Sequence, residues 1–237
     1  FMPSIRIWDF VSSQRIDKLI ANSNFIKRRI KKYWNLESDV IYPPVDTARL
    51  SLNGKTAEDF YVVFSRFVPY KRIDLAISAC GELEKKLVVI GGGSEEKALK
   101  NLASKYKKAE IKFTGRISDS EVKDYLQRCK AMIFSAEEDF GIIPVEAQAC
   151  GRPVIAFAKG GALETVIDGK TGVFFEKQET ESVIEAIKKF ETLNEKNVFN
   201  SSEIALHAQS FSTERFCREI KNAVDEVLKT FSKAKQN

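Results

Sequence analysis

From residue 60 onward, short and almost wholly apolar runs alternate with amphipathic stretches. The runs are FYVVFS (60–65), KLVVIG (86–91), EIKFTG (110–115), AMIFSA (131–136), PVIAFA (153–158) and TGVFFE (171–176). A strand covered by helices on both faces carries apolar side chains on both sides, so it reads as a continuous run and not as an alternation. After each run, past a glycine or a polar turn, comes a helical pattern: RIDLAISACGEL, SEEKALKNLASKY, SDSEVKDYLQRC, PVEAQACG, GALETVIDG and ETESVIEAIKKF. Strand and helix in regular succession at this spacing predict an α/β fold with a doubly wound parallel sheet of about six strands.

Upstream, IDKLIANS (16–23) reads as a further strand and residues 24–34 as a basic helix. Pro43 and Pro44 then break regular structure and stiffen the chain. The expected division is a remnant of a different domain over 1–42, a linker over 43–58, a ligand-binding domain over 59–210 and a closing helix over 211–237. Beyond 177 the pattern is helical throughout, and Ser212 is placed to cap the last helix without a full capping box, because Arg215 stands three positions on.

Composition narrows the function. The chain is 43% hydrophobic and 30% charged, which suits a globular protein with a sizeable core. No run approaches the roughly 18 apolar residues of a membrane span. Net charge is +5, which suits a phosphate-bearing ligand or an anionic membrane face without requiring either. The run KRRIKK (27–32) and the lysines at 105, 107 and 108 read equally as solvated faces. Cys80, Cys129, Cys150 and Cys217 form no CxxC pair and fit buried thiols in a reducing compartment. With His207 as the single histidine, a histidine metal cluster or a Ser-His-Asp triad is not expected.

Open parallel sheets bind ligands at the carboxyl ends of their strands. Four segments fall there. In SRFVPYKR (65–72), Arg66 and Lys71 are two cations on a loop stiffened by Pro69, able to hold a diphosphate or simply to face solvent. VVIGGGSEE (88–96) begins like a dinucleotide fingerprint, but Glu95 and Glu96 would repel a pyrophosphate, so it reads as a tight turn with close backbone packing. In FTGRISDSEV, Gly115 ends a strand, Ser118 or Asp119 caps a helix, and the backbone near Arg116 and Ile117 could meet a nucleobase. EEDFGIIPVEAQACG (137–151) places Glu138 and Glu146 on either side of Gly141 and Pro144. Gly141 permits close approach, Pro144 suits a first helical position, and Gly151 suits a stop, so free N–H groups near Gly141 to Ile143 make an anion site. Paired carboxylates also serve glycosidases, usually from separate elements around a sugar groove. Here both belong to one loop-helix unit beside an anion site, so they read as acceptors for hydroxyl groups. A nucleotide-diphosphate sugar would use the whole set.

These residues carry a family resemblance. EDFGIIPVE resembles the E-x7-E motif of retaining glycosyltransferases of the GT-B fold, family 4. SRFVPYKRID, IGGG, TGRISDSE, ACGRPVIA, GGALETV, GKTGVFF, RIDKLIANS and VIYPPVD fall in that family's order. The resemblance implies the C-terminal, donor-binding half of a protein with two Rossmann-like domains, closest to mannosyltransferase-like members that build surface glycans. It implies Glu138, Arg66 and Lys71 as catalytic residues, and Glu146, Phe140, Gly141, Ile142, Ile143 and Ile117 as donor-binding ones. Glu146 would hold ribose hydroxyls and Ile117 would meet the base through its backbone. No metal and no cofactor are implied beyond the donor itself, GDP-mannose as first choice. The implied partners are that nucleotide sugar, a glycan or lipid-linked acceptor and a peripheral membrane contact, not nucleic acid, in the cytoplasm or at the inner face of a membrane. The implied reaction is hexose transfer with retention. A GT-B-type nucleotide-sugar epimerase and a donor-binding fragment without turnover are the alternatives.

Overall fold

The computed structural model describes residues 2–52, 54 and 56–234. Six strands form one parallel sheet: β3 (Tyr61–Phe64), β4 (Leu87–Ile90), β5 (Ile111–Gly115), β6 (Ala131–Phe134), β7 (Val154–Phe157) and β8 (Gly172–Phe175). Their spatial order is β5-β4-β3-β6-β7-β8, every pair parallel. Counted from β3, this is the doubly wound order 3-2-1-4-5-6, with its reversal between β3 and β6.

The pleat explains the continuous apolar runs. Val62, Val88, Ile90, Met132 and Val154 pack with Val122 and Leu126 of α5 (Asp119–Arg128) and Val145 of α6 (Ile142–Ala149). Val63, Val89, Ile133, Ile155 and Val173 enter the opposite layer with Ile77 of α3 (Ile73–Glu82), Leu99 of α4 (Glu96–Ala103) and Ile187 of α8 (Thr180–Glu195). Each such buried side chain contributes about 1.5–3 kcal/mol relative to exposure. Ser118 gives α5 a full capping box with Glu121. At the end of the sheet opposite the strands' carboxyl termini, Glu191 accepts from the Tyr61 hydroxyl at 2.5 Å and pairs with Lys85 and Lys130 at 3.1 and 2.7 Å.

Several expectations change in detail. The strand expected over 16–23 shrinks to β1 (Ile20–Ala21), because only β2 (Asp39–Val40) lies beside it to pair. The basic helix is α2 (Asn24–Trp34), capped by Ser23, whose hydroxyl accepts from the Ile26 amide at 3.1 Å. A helix not read from the sequence, α1 (Met2–Ser13), precedes it and leaves Ile5, Ile7, Trp8 and Phe10 exposed. The stretch GALETVIDG holds only the short α7 (Ala162–Thr165), and the chain then turns through Gly169 into β8. After 177 the helices are α8, α9 (Ser201–Ala208) and α10 (Thr213–Ala234), the last capped by Ser212 as expected.

The segment after the two prolines is strapped to the sheet domain. Val45, Thr47 and Leu50 are buried, the Val45 amide donates to Phe211 O at 2.9 Å, and Tyr42 stacks on Phe140. Among the described residues, no helix is long and apolar enough to cross a membrane.

Candidate functional site

The loops after β3 and β6 rise side by side where the strand order reverses, the place at which such sheets bind ligands. The first loop carries Arg66 and Lys71, and the second carries Glu138 and leads into α6. Lys71 donates directly to the Glu138 carboxylate, both side chains being largely buried. Arg66 is exposed, and its guanidinium has no hydrogen-bond or ion-pair partner among the described residues. The two cations thus share a loop, but only Lys71 is engaged.

The α6 end is built differently from the expected pattern. The helix starts at Ile142, so Pro144 is its third residue and not its first; no intrahelical donor is lost there, since the first-turn N–H groups have no carbonyl to meet. Gly141 is the N-cap, with φ +83°, a left-handed conformation that side chains disfavour. The free amides of the first turn lie just past it. Glu146, the fifth helical residue, stands in the second turn. Burial raises its carboxyl above the ordinary value, and nearby Asp119 and Asp46 add to this against the pull of Arg49. Arg49 approaches Glu146 at 3.9 Å from the strapped segment.

The remaining expected residues separate by what they expose. Ile142 is 43% exposed. Ile143 and Ile117 are partly buried against the core and can offer mainly backbone groups. The Phe140 ring is turned away from the loop surface, 3% exposed, and packs on Tyr42 and Phe211 with centroids 5.6 Å away in each case. Any contact from Phe140 to a ligand therefore falls to its backbone. The IGGG stretch is a close-packing device, as read: a Cβ on Gly93 would stand 2.3 Å from the Phe67 carbonyl oxygen, on the loop that bears Arg66.

Three features escaped the sequence. The loop after β7 lies directly under the loop after β6: the Gly161 amide donates to Glu138 O at 2.8 Å, and a Cβ on Gly161 would stand 2.2 Å from the Phe140 Cα. The doubled glycine of GGALETV was its only signal. Gln178, in the loop after β8, donates to Ser135 O at 2.8 Å and accepts from Arg72 at 3.3 Å, which ties three loops together. Glu164 receives the Asn24 and Phe25 amides and the Asn24 side chain at 2.8 Å, and the Tyr42 hydroxyl at 3.1 Å. It fastens the start of α2 to the sheet domain. From the same helix, Arg29 reaches Asp139 at 3.3 Å.

The two loops and α6 offer a free cation, a paired cation, a helix end and two carboxylates. This set suits an elongated ligand with a diphosphate and hydroxyl groups. Among the described residues, no group of three or more His, Cys, Asp or Glu side chains is placed to hold a metal ion.

Comparison with known proteins agrees with this architecture. Residues 46–201 match the family described as glycosyl transferases group 1. The chain is 33% identical over 172 residues to an uncharacterised glycosyltransferase of Methanocaldococcus jannaschii, covering 72% of this chain and 48% of that protein. It is 31% identical to the alpha-1,3/1,6-mannosyltransferase ALG2 of Saccharomyces cerevisiae, covering 63% of this chain and 40% of that protein. The structure of Anabaena HepE in complex with UDP and glucose superposes with a TM-score of 0.81 at 23% identity, over 95% of this chain and 67% of that one, and shares the GT-B fold. The chain spans about half the length, or less, of these two curated relatives.

Proposed function

Because the chain belongs to the glycosyl transferases group 1 family, we propose that it is the donor-binding half of a retaining hexosyltransferase. The donor is a nucleotide-diphosphate sugar, and mannose carried on GDP is the first choice, the sugar being supported by the likeness to the mannosyltransferase ALG2. One observation carries the reading: the Lys71–Glu138 contact joins the loop after β3, which also bears Arg66, to the loop after β6, which leads through Gly141 into α6, at the reversal of strand order.

In this reading the diphosphate lies between the cation loop and the start of α6, Glu146 takes the ribose hydroxyls, and Glu138 lies by the hexose. The bond from the anomeric carbon to the phosphate oxygen breaks, and a bond to the acceptor oxygen forms on the same face. The acceptor proton passes to the departing phosphate. Arg66 and Lys71 offset the negative charge growing there, so no metal or further cofactor is invoked. Residues 1–42 would close an acceptor domain, with 43–58 as the connection and 59–210 as the donor domain. The final helix would run back alongside the first segment, an arrangement supported by Glu226 of α10 acting on Lys18, whose ammonium is held charged chiefly by Asp39. Transfer to a glycan or lipid-linked acceptor on the cytoplasmic side belongs to the whole protein.

Calorimetric titration with GDP-mannose, UDP-glucose and ADP-glucose tests the reading. One of them should bind, and Arg66→Ala should weaken it by about tenfold or more, the loss of a charge-assisted phosphate contact. Absence of binding by all three, or equal binding by Arg66→Ala, would overturn it.

A further inference from the structure

Helix α2 carries Lys27, Arg28, Arg29, Lys31 and Lys32 and no acidic residue. Its charges are compensated unevenly. Lys31 pairs with Glu37 at 2.7 Å and Arg29 with Asp139 at 3.3 Å. Arg28 and Lys32, one turn apart on the same face, have no carboxylate partner among the described residues; the Lys32 ammonium instead lies 5.2 Å over the Tyr33 ring. Like charges at this spacing repel, so the pair weakens its own helix unless an anion sits between them.

Arg28, Arg29 and Lys32 line a cleft of 360 Å³ whose other walls are Phe25, Tyr33 and Glu137. Glu137 immediately precedes Glu138 on the loop after β6, and the Arg29–Asp139 pair holds the helix against that same loop. Counting Glu137 and Asp139 against the three cations leaves one net positive charge. The lining therefore offers Arg28 and Lys32 for an anionic oxygen, aromatic faces for an apolar ring edge, and a carboxylate for hydroxyl groups.

We propose that this cleft is an acceptor subsite and that it takes an acceptor bearing a phosphate group next to sugar hydroxyls. The inference rests on the donor reading above, because the cleft gains its role only if the donor hexose lies by Glu138. The phosphate can belong to a soluble phosphorylated sugar or to a lipid headgroup, and both present the same chemistry to Arg28 and Lys32.

The test titrates glucose 6-phosphate into the chain in the presence of a saturating mixture of GDP, UDP and ADP, which blocks the donor site whichever of the three bases it accepts. Glucose 6-phosphate should bind where glucose at equal concentration does not. The Arg28→Gln/Lys32→Gln pair should weaken it about tenfold or more, with nucleotide affinity held within about twofold. A parallel arm measures co-sedimentation with phosphatidylglycerol-containing vesicles against phosphatidylcholine vesicles. Loss of vesicle binding in the Gln pair, without glucose 6-phosphate binding in the wild type, supports the subsite with a lipid phosphate as its source. Glucose 6-phosphate and vesicle binding that are both absent, or both unchanged in the Gln pair, overturn the proposal. A glucose 6-phosphate site lost in Arg66→Ala but kept in the Gln pair also overturns it. Failure of every nucleotide to bind sinks the donor reading separately, and the sugar-phosphate titration then still reads the cleft.

Discussion

Replacing Glu138 by glutamine should tighten nucleoside diphosphate binding while slowing transfer. The Lys71 ammonium is occupied by the Glu138 carboxylate in the structure, with side-chain exposures of 12% and 21%. A diphosphate arriving at this loop must share the lysine or displace the carboxylate. Two unit charges about 4 Å apart attract by about 4 kcal/mol at an effective dielectric of about 20. Desolvation offsets most of that, and fully exposed pairs retain only about 0.2–1 kcal/mol. A pair this sheltered should retain about 1–2 kcal/mol, equivalent to roughly fivefold to thirtyfold in affinity. Glutamine keeps the shape of the side chain and removes the competing charge. Calorimetry with GDP and UDP reads the change directly, and Lys71→Ala serves as the reference that loses affinity. Transfer is assayed in the full-length enzyme, where Glu138→Gln should fall well below wild type because the carboxylate would lie beside the developing positive charge. If Glu138→Gln binds nucleotide no better, or more weakly, while Lys71→Ala binds more weakly, the carboxylate assists the lysine and the argument is wrong.

Other outcomes follow from the same geometry. Glu164→Ala should remove the acceptor for two backbone amides of α2 and cost about 1–2 kcal/mol locally, read as faster hydrogen exchange at Asn24 and Phe25; equal exchange would show that Ser23 alone caps the helix. Glu146 has its carboxyl raised by burial, so the folded state holds this proton to higher pH than the unfolded state does. Its charge therefore detracts from stability increasingly as pH rises from the unfolded value through the folded one, and Glu146→Gln should be slightly more stable than wild type at pH 7 by urea denaturation. The same variant should bind the donor more weakly, and lower stability at pH 7 would count against the burial argument. Gly161→Ala, whose Cβ would stand 2.2 Å from the Phe140 Cα, should push the 138–140 loop aside and cost about 1–3 kcal/mol, with donor affinity falling in parallel; unchanged nucleotide binding would show that the loop position is not needed.

What could be read from the chain followed from local pattern. The six strands were legible because both faces are covered, and α2 because a basic helical run marks it; its cap Ser23 was read as strand. Arg66, Lys71 and Glu138 were legible as residues in loops at strand ends and Glu146 as a residue of the following helix, and the reversal between β3 and β6 is what brings Lys71 to Glu138. That order is a property of the sheet, not of any segment. Glu164 was not legible, since it reads as an ordinary helical glutamate and its partner Asn24 is 140 positions away. Phe140 stands among the expected donor contacts through the resemblance alone, and a loop residue has no periodicity to show that its ring turns into the core. The strand expected over 16–23 failed for a related reason: strand length depends on a partner, and β2 supplies only two residues.

The close approach at Gly93 and Gly161 has a consequence for reading variation at these positions. Neither glycine has a side chain to offer a ligand, yet each fixes the height of a loop that does, Gly93 beneath the loop of Arg66 and Gly161 beneath that of Glu138. In a mutational scan scored by activity, both positions would tolerate nothing and would be mistaken for binding residues. Efforts to change donor preference should therefore leave them untouched and vary the residues above them, because the glycines set where the chemistry stands and not what it recognises.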